Sequence, residues 1–343
     1  MAIRYEKYLY IIPDEVIQEL EDLKKGYSNE IECYKIKVQQ LKKEIQNLNI
    51  RLNKTKYNEK KVINRKWVLL AKNKKYNDMV FDFLYPFQFN NQKELKPAIE
   101  RLKLSIDSIK NQNVNICVCN TSNVCIYDDI KDICDINYIF KPLNIGNKYW
   151  KYNKSLTLNY GVKQLIKTPY FFVSDIDLIY SSRFIKTIAK NIDDKKPIRI
   201  IFNNMNIDKG FYSSSYNKCK KFFDNHKDKS RTTGIAPGNG LIHLDSFKKI
   251  RGYDEQYIGY GPEDADFNFR IKNICEYIEL DNNYVNTYHL YHDRSHYDVQ
   301  YTTNVLRSRK YQFKINELLK DGKFIKSKHL KYLQVNDEKW GEI

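Results

Sequence analysis

From Ile17 to Leu52 the apolar positions step by three and four: Ile17, Leu20, Tyr27, Ile31, Tyr34, Val38, Leu41, Ile45, Leu48 and Leu52, with Lys24 interrupting the run. An a/d seam held over about five heptads predicts a coiled coil across residues 14–56. The alternative is an amphipathic helix laid on the next domain, since Lys24, Gly26 and two tyrosines weaken the seam. Further on the period changes. Met79 to Tyr85 reads as a buried strand stopped by Pro86. "QKELKPAIERLKLSIDSIKNQ" sets Ile99, Leu102, Ile106 and Ile109 on one helical face, and "VNICVCNTSN" is a second buried strand. Strand, helix, strand of these lengths makes a βαβ unit. "NKSLTLNYGVKQLIK" then reads as a helix, "PYFFVSDIDLIY" as the next strand, and "YIEL" as a short late strand. The fold class predicted is α/β with a mainly parallel sheet over residues 78–300. A helical arm (1–56) and a basic linker (57–77) precede it, and a basic helical tail (301–343) follows.

Composition changes this picture at three points. The chain of 343 residues is 42% hydrophobic, enough for a sizeable core. Its 59 Lys+Arg against 42 Asp+Glu give +17, which suits an anionic partner, yet over-used Lys, Asn, Ile and Tyr are also what AT-rich coding produces. More than half of the excess lies in residues 51–75, where ten basic residues face only Glu59. Seven cysteines without a C-x-x-C pair read as free thiols of a reducing compartment. "MAIRYEKYLYIIPDEV" has charges through its apolar stretch, and no later run reaches 18 uncharged apolar residues, so the expectation is a soluble, cytoplasmic protein.

Three clusters carry candidate chemistry. "YFFVSDIDLIY" ends a buried strand with Asp175 and Asp177; on an extended strand these point to one side, and a divalent cation would relieve their repulsion. A solvated turn is the plain alternative. Ile179 argues against the haloacid-dehalogenase phosphatases, which want Thr or Val at that place. "YIGYGPEDADFNFRI" sets Tyr260 among glycines before Glu263, Asp264 and Asp266, which open a helix. Acids there suit the helix dipole without any function, but an aromatic face beside carboxylates also suits a sugar. "YHLYHDRSH" packs His289, His292 and His296 into eight positions, which predicts at least one metal ligand. Gly238 and Gly240 precede an apolar run, where either a close backbone approach to a ligand or an ordinary turn would need them. No P-loop, dinucleotide-binding G-x-G-x-x-G or H-E-x-x-H motif is present.

Taken in order, these segments resemble a GT-A-fold glycosyltransferase of the β-1,4-galactosyltransferase and chondroitin-polymerase group. "FFVSDIDLI" is similar to that group's F-x-F-S-D-V-D-L-I, and "YGPEDADFNFRI" to its W-G-G-E-D-D-D-x-x-x-R-L. "YNKSLTLNYG" is similar to F-N-R-A-x-L-L-N-x-G, and "LYPFQFNNQKEL" to I-P-F-R-N-R-x-x-x-L. The resemblance spans about residues 78–300 and implies a GT-A, Rossmann-like domain. It implies Asp177 with His289 and His292 at a metal, Mn²⁺ or Mg²⁺, with His289 preferred. It also implies Asp264 as general base, Glu263 at the acceptor sugar, and Asp175 on the nucleotide of a UDP-sugar donor. Pro86, Phe87, Asn120, Lys154, Asn159, Gly238, Gly240 and Tyr260 complete the implied donor and acceptor contacts. Retaining relatives carry asparagine at the position of Asp264, so the aspartate implies inversion. Gln88 and Asn90 stand where the group has arginines, Pro262 where it has glycine, and Tyr260 where it has tryptophan. The implied activity moves a hexose or N-acetylhexosamine to a hydroxyl of a glycan or glycoconjugate, with homo-oligomers formed through the arm. Two other readings compete. A nucleic-acid-binding coiled-coil protein would use the basic segment but leave the three clusters without purpose. An inactive GT-A domain serving as a sugar-binding scaffold would not need Asp177 and Asp264.

Overall fold

The computed structural model describes residues 2–5, 8–11, 79–89, 92–143, 152–192, 197–226, 232–235, 238–259, 261–280, 287–292, 300–320 and 330–343. The predicted coiled coil (14–56), the basic segment (51–75), Tyr260 and His296 lie outside the described residues. The chain divides into two compact units, Met1–Leu69 and Leu70–Ile343. In the first, β1 (Ala2–Tyr5) and β2 (Tyr8–Ile11) form an antiparallel hairpin, with Ala2 opposite Ile11.

The second unit is a layered α/β domain. Its strands are β3 (Phe81–Phe87), β4 (Val114–Asn120), β5 (Ile136–Phe140), β6 (Tyr170–Val173), β7 (Leu178–Tyr180), β8 (Ile198–Asn206), β9 (Thr232–Ile235), β10 (Gly240–His243), β11 (Glu276–Leu280) and β12 (Thr287–His289). Its helices are α1 (Gln92–Ile109), α2 (Tyr127–Ile130), α3 (Lys154–Leu165), α4 (Phe184–Ala189), α5 (Tyr216–Asn225), α6 (Leu244–Lys249), α7 (Glu263–Ile271) and α8 (Gln300–Lys320). The sheet runs β5-β4-β3-β6-β10-β8-β12-β7, with β9 and β11 also on β8. The block β5-β4-β3-β6 is parallel throughout, as is β8 with β11 and β12. β10 enters antiparallel between β6 and β8.

Alternation explains the layers. Phe81, Phe83, Tyr85 and Phe87 of β3 join one core with Ile99, Leu102, Ile106 and Ile109 of α1, the face read from the sequence. Leu84 points the other way, into a core with Leu158 and Val162 of α3, Phe247 of α6 and Phe267 of α7. With both faces covered, the strands are apolar almost throughout.

Two expectations are corrected. Pro86 does not stop β3, which runs to Phe87. β6 pairs only with Asp82, Phe83 and Leu84, so the missing N–H of Pro86 faces the space beyond the end of β6 and costs no ladder bond. The stretch 301–343 is not a separate tail. Ile315 and Leu333 are buried in the second core, and Trp340 packs 5.8 Å from Phe247 between ring centroids. No described helix is long and apolar enough to cross a membrane.

Candidate active site

Parallel strands β3, β4 and β6 all end at one edge, and the chain leaving β6 carries both aspartates over that edge. "PYFFVSDIDLIY" is not one strand. It breaks into β6, a turn at residues 176–177, and β7, which pairs antiparallel with β12. This overturns the picture of two same-side carboxylates on an extended strand. The turn sends Asp175 and Asp177 to different partners.

Asp177 goes to the histidines. In the β7–β12 ladder His289 lies opposite Leu178, and the Leu290 N–H donates to the Asp177 carbonyl at 2.8 Å. Register therefore carries a segment 112 positions away to the carboxylate. His289 Nε2 stands 3.5 Å from Asp177 Oδ1, and His292 Nε2 3.2 Å from Oδ2. One ligand atom from each of the three residues lies within 4.8 Å of the others. Asp177 is 6% exposed, and its Oδ1 is buried without a hydrogen-bond partner. Burial acts to raise its carboxyl, but the imidazoles of His289 and His292 outweigh it and hold the group well below the usual carboxylate range. Two imidazole nitrogens and a carboxylate are a donor set for a first-row divalent transition-metal ion, and the carboxylate suits Mn²⁺ among them.

Asp175 goes to Lys154 and Asn239. Lys154 Nζ lies 2.9 Å from Asp175 Oδ1 and 3.1 Å from Asp264 Oδ2. Asn239 accepts from the Asp175 N–H at 2.6 Å and donates to Asp175 Oδ2 at 2.9 Å. Asp264 enters from the first turn of α7. Its carboxylate fits because Gly238 has no side chain: a Cβ there would stand 2.4 Å from Asp264 Oδ2. Burial raises the Asp264 carboxyl and the Asp175 charge adds to this, while Lys154 and Arg199 oppose it. Burial and the neighbouring Asp264 push Glu263 up to about 8. Asp264 Oδ1 and Glu263 Oε2 are buried without hydrogen-bond partners, so each carboxyl keeps one oxygen uncommitted.

Residues 217–293 match the family model described as the N-terminal domain of galactosyltransferase. The matched segment runs from α5 to just past β12. It holds Gly238, Gly240, Glu263, Asp264, His289 and His292, but neither aspartate of the D-x-D. The search of curated proteins gave no match. Among solved structures, the chain is similar to S. aureus TarS 1-349 in complex with UDP-GlcNAc: 14% identity and TM-score 0.44 over 64% of this chain and 60% of that one. It is similar to GalNAc-T7 with UDP, GalNAc and Mn²⁺, at 12% identity and TM-score 0.43 over 74% and 54%. It is also similar to the catalytic domain of Drosophila β1,4-galactosyltransferase 7 in complex with xylobiose, at 16% identity and TM-score 0.35 over 64% and 78%. The chain spans 37% of another TarS chain and 64% of a second Drosophila galactosyltransferase 7 chain.

Several expected contacts are placed differently. Asn159 is buried on α3, where its amide donates to the Tyr253 carbonyl and to Glu255 Oε1, each at 2.8 Å, and accepts from the Tyr253 N–H at 2.9 Å. Asn120 donates to the Val124 carbonyl and to Tyr138 Oη, both at 2.8 Å, and accepts from the Ser122 N–H. Both amides are spent inside the protein and hold loops. Pro86 and Phe87 are buried at the end of β3. Gly240, at φ 133°, serves the sheet, since a Cβ would meet the Ile200 carbonyl at 2.1 Å.

Sequence reasoning missed the supports. Gln88, noted only as a lost arginine, is buried and accepts from the Asn153 N–H at 2.7 Å. Arg199 is fully buried, donating to Asn268 Oδ1 at 2.9 Å and to the carbonyls of Ile200, Leu241 and Asn239. Its signal was a lone cation inside the apolar run "IRIIF".

Proposed function

We propose that the protein is a metal-dependent, inverting glycosyltransferase that moves a hexose or N-acetylhexosamine from a UDP-sugar to a hydroxyl of a glycan or glycoconjugate. The observation that carries this reading is the adjacency of two constellations. The Asp177, His289 and His292 set lies two residues along the chain from Asp175, which Lys154 joins to Asp264.

Asp177, His289 and His292 would hold Mn²⁺ (or Mg²⁺), which when bound supplies charge neutralisation for a diphosphate leaving group. Asp175 faces the nucleotide side. Asp264 takes the proton of the acceptor hydroxyl on its uncommitted Oδ1 as that oxygen attacks the anomeric carbon. The new C–O bond forms as the bond to the diphosphate breaks, and UDP leaves. A single displacement inverts the anomeric centre. Glu263, with its carboxyl pushed up to about 8, stays protonated at neutral pH and can donate to an acceptor oxygen. The match of residues 217–293 to the galactosyltransferase model supports this reading, and the similar structures hold UDP-GlcNAc or UDP, GalNAc and Mn²⁺. We also assign self-association to residues 14–56; light scattering with and without them tests this, and an unchanged monomer mass refutes it.

Asp264→Asn keeps shape and hydrogen bonding but removes proton acceptance. It is expected to spare UDP binding and cut turnover by on the order of 10²–10⁴. NMR of the product from an α-linked UDP-sugar should show a β linkage. An α product, or near-normal turnover by Asp264→Asn, overturns the assignment.

A further inference from the structure

Lys154 is an unlikely residue by every local rule. It is the first residue of α3, where the positive end of the helix dipole disfavours a cation, and it is 8% exposed. What offsets both costs is tertiary: Asp175 Oδ1 at 2.9 Å and Asp264 Oδ2 at 3.1 Å. The backbone beneath it is pinned from three sides. Asn153 caps α3 by accepting from the Leu156 N–H at 2.9 Å, donates its amide to the Glu255 carbonyl at 2.9 Å, and gives its own N–H to Gln88.

We propose that Lys154 is a positioning residue that anchors one oxygen of Asp264, leaves the other free for the acceptor proton, and couples the base to the donor-side Asp175. The inference rests on the reading of Asp264 as the base.

The groups that face Asp264 explain why such an anchor is needed. Asp175 comes from the turn after β6, Glu263 from α7 itself, Arg199 from β8, Tyr253 from the loop after α6 and Tyr152 from the residues leading into α3. Two of the five are carboxyls and two are phenols. Arg199 directs its guanidinium at Asn268 and at three backbone carbonyls. Among the described residues, the ammonium of Lys154 is the cation that hydrogen-bonds the Asp264 side chain. With Oδ2 so held, Oδ1 is the buried oxygen without a partner. A buried carboxylate next to two other acids and without its cation would take up a proton and cease to be a base. Because the same ammonium also holds Asp175, anything that engages Asp175 changes how much of Lys154 is left for Asp264.

The test is the pH dependence of kcat/KM for the full-length protein and for Lys154→Met, Lys154→Arg and Asp175→Asn. In Lys154→Met the acid limb should move up by at least about one pH unit, with activity lost at neutral pH and regained in alkali. Lys154→Arg should restore most of the neutral activity. Asp175→Asn removes the competing carboxylate, so its acid limb should move down. A Lys154→Met limb at the wild-type position overturns the role. If Lys154→Met does not fold, an unmoved or raised Asp175→Asn limb overturns it. Asp264→Asn in the same series separates the two readings. If it retains wild-type activity, the base assignment fails; if it is inactive while Lys154→Met titrates normally, only the role of Lys154 fails.

Discussion

Gly238→Ala isolates the position of the Asp264 carboxylate from everything else at the site. The new Cβ would stand 2.4 Å from Oδ2 and 2.7 Å from Cγ, where ordinary contact begins at 3.4 Å. The carboxylate must therefore retreat by about 1 Å, and a shift of about that size at a reacting group costs on the order of 10²-fold in rate. The retreat also lengthens the 3.1 Å bond to Lys154. Gly238 is not among the positive-φ residues, so alanine brings no backbone strain and stability should change by less than about 1 kcal/mol. His289 lies in the β7–β12 ladder and the Asp177 carbonyl is held by the Leu290 N–H, while the heavy atoms nearest the new methyl group all belong to Asp264. The assay is steady-state transfer, alongside thermal unfolding and calorimetry of UDP binding with Mn²⁺. The expected result is a kcat reduced about a hundredfold, with Tm and UDP affinity near wild type. Wild-type turnover would refute the assignment of Asp264, and a loss of activity that merely tracks a collapse in Tm would refute the claim that the substitution acts on the carboxylate alone.

Three further outcomes are expected. Asp177→Ala should abolish the Mn²⁺ dependence of UDP binding; equal wild-type affinity in EDTA and in Mn²⁺ by calorimetry refutes the metal assignment. Gly240→Ala should destabilise the fold by more than about 2 kcal/mol in denaturant titration, because φ is 133° and the Cβ would lie 2.1 Å from the Ile200 carbonyl; a midpoint shift of only a few tenths of that size refutes it. Glu263, raised from 4.5 to about 8, contributes stability that is full below the unfolded value and drains away as pH rises through the folded one. Glu263→Gln removes this term, so its stability should fall less than that of wild type between about pH 5 and pH 8, and an identical slope in urea titrations refutes it.

Local pattern was enough for the α/β class, for the apolar face of α1, and for the acid-opened helix α7, because each depends on the period of apolar positions or on an end effect confined to one turn. The three chemical clusters were legible for the same reason: carboxylates and histidines concentrated in short windows are conspicuous without coordinates. What no window of sequence contains is which members meet. The i, i+2 rule placed Asp175 and Asp177 on one side, yet a turn at 176–177 sends one to Lys154 and the other to His289 and His292. That choice depends on a β7–β12 register joining residues more than a hundred apart. The roles of Gln88, Asn159 and Gly238 were decided in the same way. Each is polar or small in the sequence, and its meaning comes from a partner on another element: the Asn153 N–H, the Tyr253 backbone and the Asp264 carboxylate. Lys154 shows the physical reason most plainly. Its own helix disfavours the charge, and only carboxylates brought in by tertiary packing make a buried ammonium there stable.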